Sequence, residues 1–348
     1  MKKVIGMCLT CMVLMTLSCS KKNNTPAPPT QSAYKPPVVS STFAKGADIS
    51  WVTQMEASGV KFYDKSGNQQ DLFALMKSLG FNSIRLRAWV NPSDGWCNTK
   101  DVVAKALRAK NAGMKVMIDF HYSDSWADPG KQPKPAAWAS LDFNALVSAL
   151  HDYTVHVMDT LKTNGITPDW VQVGNEVDDG MLWEDGRAST HMANFAALVE
   201  AGYEAVKSVS STTQVIVHVS NGYDNAHFEW LFDGLKNNGA HWDIIGMSLY
   251  PSVSNYKTLD AECLANMKDM VTRYGTPVMI CEVGIEEDQP SVARDFLTDI
   301  ITKTNSLANG QGLGVFYWEP EAHNWQNYGL GAFDSSGKPT IALDAFGN

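Results

Sequence analysis

The chain reads as an α/β protein, a single (β/α)8 (TIM) barrel, and three observations lead to that reading. Eight short apolar, β-branched runs alternate strictly with helix-patterned segments. Such alternation implies parallel strands joined by crossovers, and eight units in one domain favour a closed barrel over an open sheet. Two glutamates sit at the C-terminal ends of the fourth and seventh runs: Glu176 closes WVQVGNE, and Glu282 lies within PVMICEVG. In a barrel those ends converge on the face that carries the active site. Finally, no glycine-rich phosphate fingerprint follows the first run, which argues against a doubly wound dinucleotide-binding sheet.

Taken in order, the strand-like runs cover residues 45–50, 82–89, 115–122, 169–176, 214–220, 243–250, 277–284 and 312–320. Helical spacing of apolar residues marks 71–79, 100–112, 141–162, 191–208, 227–238, 259–274 and 291–307. Several of these stop just before a glycine, at Gly80, Gly113 and Gly239, where a helix end favours a left-handed residue. Long connections follow the third, fourth and eighth runs (123–138, 177–187 and 321–333) and are rich in Trp, Asp, Asn and Gly. The connections on the opposite face are short, as at 111–115, so the long loops define one open cleft.

The ends are of another character. Residues 1–19 carry Lys2 and Lys3 followed by an apolar stretch too short to span a membrane comfortably. The stretch ends in Leu17-Ser18-Cys19, similar to a bacterial lipobox, which makes Cys19 the expected lipidated first residue. Residues 20–41 hold Pro26, Pro28, Pro29, Pro36 and Pro37 among Asn, Thr, Ser and Lys, and read as a disordered tether. The catalytic domain is expected over 42–348. The expected location is the cell envelope, exported and held in the outer membrane by its lipid with the domain facing outside. A formal charge of −9 without a basic run argues against nucleic acid and suits a neutral substrate. Beyond Cys19 only Cys97, Cys263 and Cys281 remain, too few and too scattered for a disulfide framework or a metal site.

The chemistry-bearing residues cluster at the run ends. Two carboxylates delivered from different strands can act on a glycosidic bond as acid/base and nucleophile. The acid needs a raised pKa; the nucleophile must stay ionised, so hydrogen bonds or a cation must oppose desolvation. Asn175, next to Glu176, is placed to hold a sugar hydroxyl if both side chains turn toward the cleft. Arg85 and Arg87 share a parity on the second run, and either could pair with Glu282; Tyr250 could donate its hydroxyl to the same carboxylate. Asp48, Arg87, His121, Tyr122 and Asp124 are read as hydroxyl-binding groups, and Trp89, Trp126, Trp318 and Trp325 as flat faces for pyranose rings. His121 and Asp124 have no third ligand at metal-like spacing.

The runs GADIS, RLRAWVNP, DFHYSDSWADPGKQ, VGNE, SLYP, EVG and YWEP together closely resemble glycoside hydrolase family 53, the endo-β-1,4-galactanases. The likeness spans nearly the whole domain. It implies a retaining barrel enzyme with Glu176 as acid/base and Glu282 as nucleophile, acting on β-1,4-galactan; separately, a monomer is expected. Bacterial relatives can carry calcium between the loops after the seventh and eighth strands. Here that first loop, 285–292, is short and lacks a ligand series, so no calcium and no cofactor are expected. The fold and the catalytic pair alone would equally serve a mannanase or a glucanase. A glycan-binding lipoprotein without catalysis would need no such pair.

Overall fold

The computed structural model describes residues 34–347. Eight parallel strands close into a barrel in the order β1-β10-β9-β8-β7-β6-β5-β4. They are β1 (Ala44–Asp48), β4 (Ser83–Ala88), β5 (Lys115–Phe120), β6 (Trp170–Val173), β7 (Gln214–Val219), β8 (Ile244–Leu249), β9 (Val278–Val283) and β10 (Gly312–Trp318). The helices are α1 (Val52–Ala57), α2 (Leu72–Ser78), α3 (Thr99–Asn111), α4 (Phe143–Thr163), α5 (Ala188–Val209), α6 (Asn225–Asn237), α7 (Tyr256–Tyr274) and α8 (Pro290–Asn305). Asp71, Asn98, Asp142 and Asp224 cap α2, α3, α4 and α6, each accepting a first-turn backbone N–H through its side chain. Gly80, Gly113 and Gly239 follow their helices with positive φ, as the sequence requires.

Two features were not in the sequence reading. The short helix α1 follows β1, and a two-stranded hairpin of β2 (Phe62–Tyr63) and β3 (Gln69–Gln70) sits outside the barrel. Both are too short to show a hydrophobic period. Residues 1–33, including the expected signal segment and Cys19, lie outside the described residues. Of the expected tether, the part nearest the barrel is described, and the Ser40 N–H is bonded to Asn305 on the C-terminal residue of α8.

The barrel has two apolar cores. The larger lies between strands and helices; the smaller fills the barrel interior with Ala44, Met117, Trp170, Ile216, Ile244, Met279, Cys281 and Phe316. Gly46 makes room for this filling, since a Cβ there would meet the Phe316 ring at 2.1 Å. Further along the same strands the inward positions turn polar: Asp48, Arg85, Asp119, Gln172, His218, Ser248 and Glu282 are all buried. Period-two alternation keeps all of these but Glu282 in register with the apolar floor. The polar layer opens at the C-terminal mouth.

Candidate active site

Glu176 reaches the mouth because its strand stops early. The expected strand 169–176 ends at Val173, and Gly174 takes φ +89°. Glu176 itself adopts φ +42°, so the chain kinks and both Asn175 and Glu176 line the same cavity. A Cβ on Gly174 would come within 2.4 Å of Val177, so glycine is required there for space as well as for φ.

Glu282 arrives by a different device. Met247 pairs with Ile280 but Ser248 pairs with Glu282, so β9 carries one extra residue, Cys281, against β8. The pairing with β10 skips the same way, from Val315–Ile280 to Tyr317–Val283. Cys281 faces the interior two residues after Met279, and the bulge leaves Glu282 inward as well, where strict alternation would have sent it out. Burial pushes the Cys281 thiol far above its ordinary range, so it acts as an inert packing group.

Arg85 organises the floor of the cavity. Its Nε donates to Gln172 at 2.6 Å; Nη1 meets Asp48 at 2.7 Å and Glu282 at 2.8 Å; Nη2 meets Asn175 and Asp119, both at 2.9 Å. Tyr250 donates its hydroxyl to the other Glu282 oxygen at 2.7 Å. His121 accepts the Ala127 N–H on Nδ1, which puts its proton on Nε2, 3.0 Å from Asp119. Likewise His218 Nδ1 accepts from the Gln172 amide at 2.8 Å, so Nε2–H faces the Ser248 hydroxyl at 2.8 Å. Ser248 in turn bonds to the Glu176 carboxyl. Burial holds both histidines neutral, below the usual imidazole range.

The two glutamates therefore differ in charge. Burial raises both carboxyls, and their mutual repulsion raises Glu176 further, against a weaker pull from Ser248. For Glu282 the Arg85 cation and the Tyr250 hydroxyl oppose burial directly. Burial still leaves Glu282 raised, to about 7. Glu176 is raised well above the carboxylate range without such partners, so a single proton held by the pair sits on Glu176 and the charge on Glu282. The cavity they face is about 230 Å³, lined also by His121, Trp126, Ala127, Asp128, Asn175, Tyr250, Trp318 and Tyr328.

A second cavity of about 200 Å³ adjoins it across Trp126 and is lined by Trp51, Trp89, Arg87, Asp124 and Trp96 among others. Two expected contacts with substrate, Asp48 and Tyr122, are corrected here, and the partners of Arg87, Asp124 and Trp325 are now defined. Asp48 is fully buried and spends its carboxylate on Arg85 and on Ser50, whose N–H and hydroxyl both reach it. Tyr122 does not face the cleft: it is fully buried, stacked on Phe120 at 5.4 Å and bonded to Thr154 of α4 at 2.8 Å. Its φ of +50° turns the ring outward from the barrel once β5 has ended. Arg87 pairs with Glu319 at 3.3 Å instead of with Glu282, which Arg85 reaches. Asp124 ties down loop backbone, accepting the N–H groups of Asn91 and Ala136, both at 2.9 Å. Trp325 lines a separate hollow beside Phe62 and Tyr63 of the hairpin. Asp119, Gln172, His218, Ser248, Glu319 and Tyr328 escaped the sequence reading. The first four sit at inward parity on runs already identified as strands, so parity alone pointed to them.

A closed parallel barrel whose fourth and seventh strands present a protonated and an ionised carboxyl to one cavity defines a class of enzyme: a glycoside hydrolase. The chain belongs to glycosyl hydrolase family 53, whose sequence profile matches residues 44–346. A probable arabinogalactan endo-β-1,4-galactanase A of Neosartorya fischeri is 34% identical over 311 residues, covering 83% of this chain and 86% of that protein. An arabinogalactan endo-β-1,4-galactanase of Thermothelomyces thermophilus is 33% identical over 328 residues, covering 87% and 98%. Among solved structures, a fungal β-1,4-galactanase superimposes with a TM-score of 0.81 at 32% identity, covering 87% of this chain and 98% of that one.

Proposed function

We propose that this chain cleaves internal β-1,4-galactosidic bonds of galactan, the neutral side chains of pectin, with retention of configuration. The observation that carries the reading is the opposed environment of two carboxyls facing one cavity, Glu176 next to Glu282 and Ser248, and Glu282 clasped by Arg85 and Tyr250. In the first step a Glu282 oxygen attacks the anomeric carbon while Glu176 gives its proton to the departing glycosidic oxygen. The product is a covalent galactosyl ester on Glu282 and a shortened chain. Water then attacks the same carbon, Glu176 takes its proton, and the ester bond to Glu282 breaks. Asn175, with its side-chain oxygen held by Arg85 and its amide by the Ala127 carbonyl, is rigidly placed at the wall of the cavity beside the reacting sugar. Trp126 and Trp318 offer apolar ring faces to the sugar.

The substrate assignment draws on the activity named for the relatives and on a cavity lined by aromatic rings. Reducing-end release from galactan, compared with mannan and β-glucan, tests it. Galactan is expected to be the preferred substrate by a wide margin, and equal release from mannan or β-glucan would overturn the assignment. Retention is read by NMR of the first product, which is expected as the β-anomer; an α-anomer would defeat the double displacement. The same reading holds the chain in the envelope through a lipid on Cys19, facing polymer too large to cross the outer membrane. Labelled palmitate that enters Cys19→Ala as well as wild type would remove that part.

A further inference from the structure

Glu319 and Glu321, just beyond β10, take no part in the steps above, yet both are buried, 0% and 2% exposed. Glu319 has φ +45°, which turns it inward as Glu176 is turned. Its carboxylate receives the Trp51 backbone N–H at 3.2 Å on each oxygen and Arg87 Nη1 at 3.3 Å. Both Glu321 carboxyl oxygens are buried without a hydrogen-bond donor, and the carboxyl lies against that of Glu319. Two carboxylates in such contact are both acceptors, so one proton must lie between them. Glu319 has the cation and the Trp51 N–H, so the proton belongs to Glu321. The other ionisable groups facing the pair are Asp48 from β1 and Tyr328 from the loop after β10, and neither supplies a cation. Burial and the adjacent carboxyl push Glu321 well above the carboxylate range; burial and Asp48 raise Glu319 as well, to about 7, with Arg87 opposing them.

Arg87 is the link to the cleft. Its guanidinium lies 4.2 Å over Trp126, 5.1 Å over Trp89 and 5.7 Å over Trp51. Its Nε and Nη2 are buried without a bond, and its one ion pair among the described residues is with Glu319. Trp51, held through its N–H, packs edge-on against Trp126 at 5.8 Å and Trp318 at 5.1 Å. Trp126 borders both cavities.

We propose that Glu319 and Glu321 share one proton as a carboxylate and a carboxylic acid, and that the ionised Glu319 is a positioning residue. Through Arg87 and the Trp51 N–H it fixes the tryptophan wall joining the catalytic cavity to its neighbour, along which the next sugar of the polymer lies. The second clause rests on the hydrolase reading above.

Glu321→Gln still presents a neutral donor to Glu319 and is expected to keep KM for galactan within about twofold of wild type. Glu319→Gln removes the partner of Arg87 and is expected to raise that KM about tenfold, with kcat on a small aryl galactoside changing far less. The double variant Arg87→Met/Glu319→Gln leaves no unmatched buried charge, so it folds even where Glu319→Gln does not, and shows the same rise in KM. Unchanged KM in the charge-removing variants, or an equal loss in Glu321→Gln, overturns the positioning role. The infrared difference between wild type and Glu321→Gln at pH 7 is expected to show loss of one protonated-carboxyl C=O stretch; no loss overturns the shared proton. A wild-type chain that leaves galactan intact would sink the hydrolase reading, while the infrared comparison would still decide the pair.

Discussion

Whether a glutamate acts as an acid or as a nucleophile depends on what its carboxyl touches. Glu282 is bonded to a guanidinium and a phenol, both of which favour its charge; Glu176 meets one serine hydroxyl and the field of Glu282. Glu282→Ala is therefore expected to abolish turnover, with azide restoring part of it and giving the α-galactosyl azide. Rescue that yields the β-azide would exchange the two roles. For Glu176→Ala the loss is expected to be smallest on aryl galactosides whose leaving group hardly needs a proton. A uniform loss across leaving groups would count against its role as acid. Tyr250 offers a finer test. Its hydroxyl bonds to ionised Glu282, so Tyr250→Phe removes a group that lowers the Glu282 pKa. The acid limb of the kcat/KM profile is then expected to move to higher pH, by about one unit. A profile that stays in place would show that Tyr250 leaves Glu282 untuned.

At the scale of elements, the site depends on where strands cease to be regular. A strict eight-strand ladder would send Cys281 and Glu282 to opposite faces; the bulge in β9 sends both inward. Gly174 does the equivalent for the Asn175–Glu176 pair. The helical ring holds a titration device of its own. Asp260 on α7 is buried and bears on Asp299 of α8, which is ion-paired with Lys303. Burial, then the Asp299 contact, pushes Asp260 up to about 9. The folded state then keeps a proton that the unfolded chain gives up near pH 4, so stability falls as pH rises from about 4 toward 9. Asp260→Asn removes that slope. Thermal melts at pH 5 and pH 8 are expected to differ less in the variant than in wild type, and the variant to melt roughly 2 °C or more higher at pH 8. An unchanged pH dependence would mean that another pair sets it.

For the molecule as a whole, among the described residues no group of three or more His, Cys, Asp or Glu side chains comes together around a metal-sized space. Beyond the seventh and eighth barrel strands, Glu287 and His323 contact each other directly at 3.1 Å. A calcium ion bound to the folded state alone would raise its melting temperature with concentration. EDTA is expected to leave both activity and melting temperature unchanged; a drop reversed by calcium would place an ion among these loops. Much of this architecture was legible beforehand. The barrel, its eight strands and the Gly-terminated helices followed from periodicity and punctuation, and the two glutamates from their place at strand ends. Tyr122 and Asp48 were misread because position beyond a strand does not tell which way a side chain turns. Asp48 is taken up by its contact with Arg85, and Tyr122 is turned away by its own left-handed backbone.

By itself the sequence determined the period of the hydrophobic pattern, hence the parallel barrel, the face that bears the loops and the family. These are local or repetitive properties, and each residue's chemistry is sufficient to read them. Only the tertiary structure decided which arginine meets Glu282, which carboxyl keeps a proton, and that Glu319 and Glu321 meet each other inside the protein. Those facts depend on groups far apart in the chain, such as Arg85 with Glu282 or Trp51 with Glu319, meeting where water is excluded. Burial and distance set their electrostatics, and neither is written in the spacing of the residues.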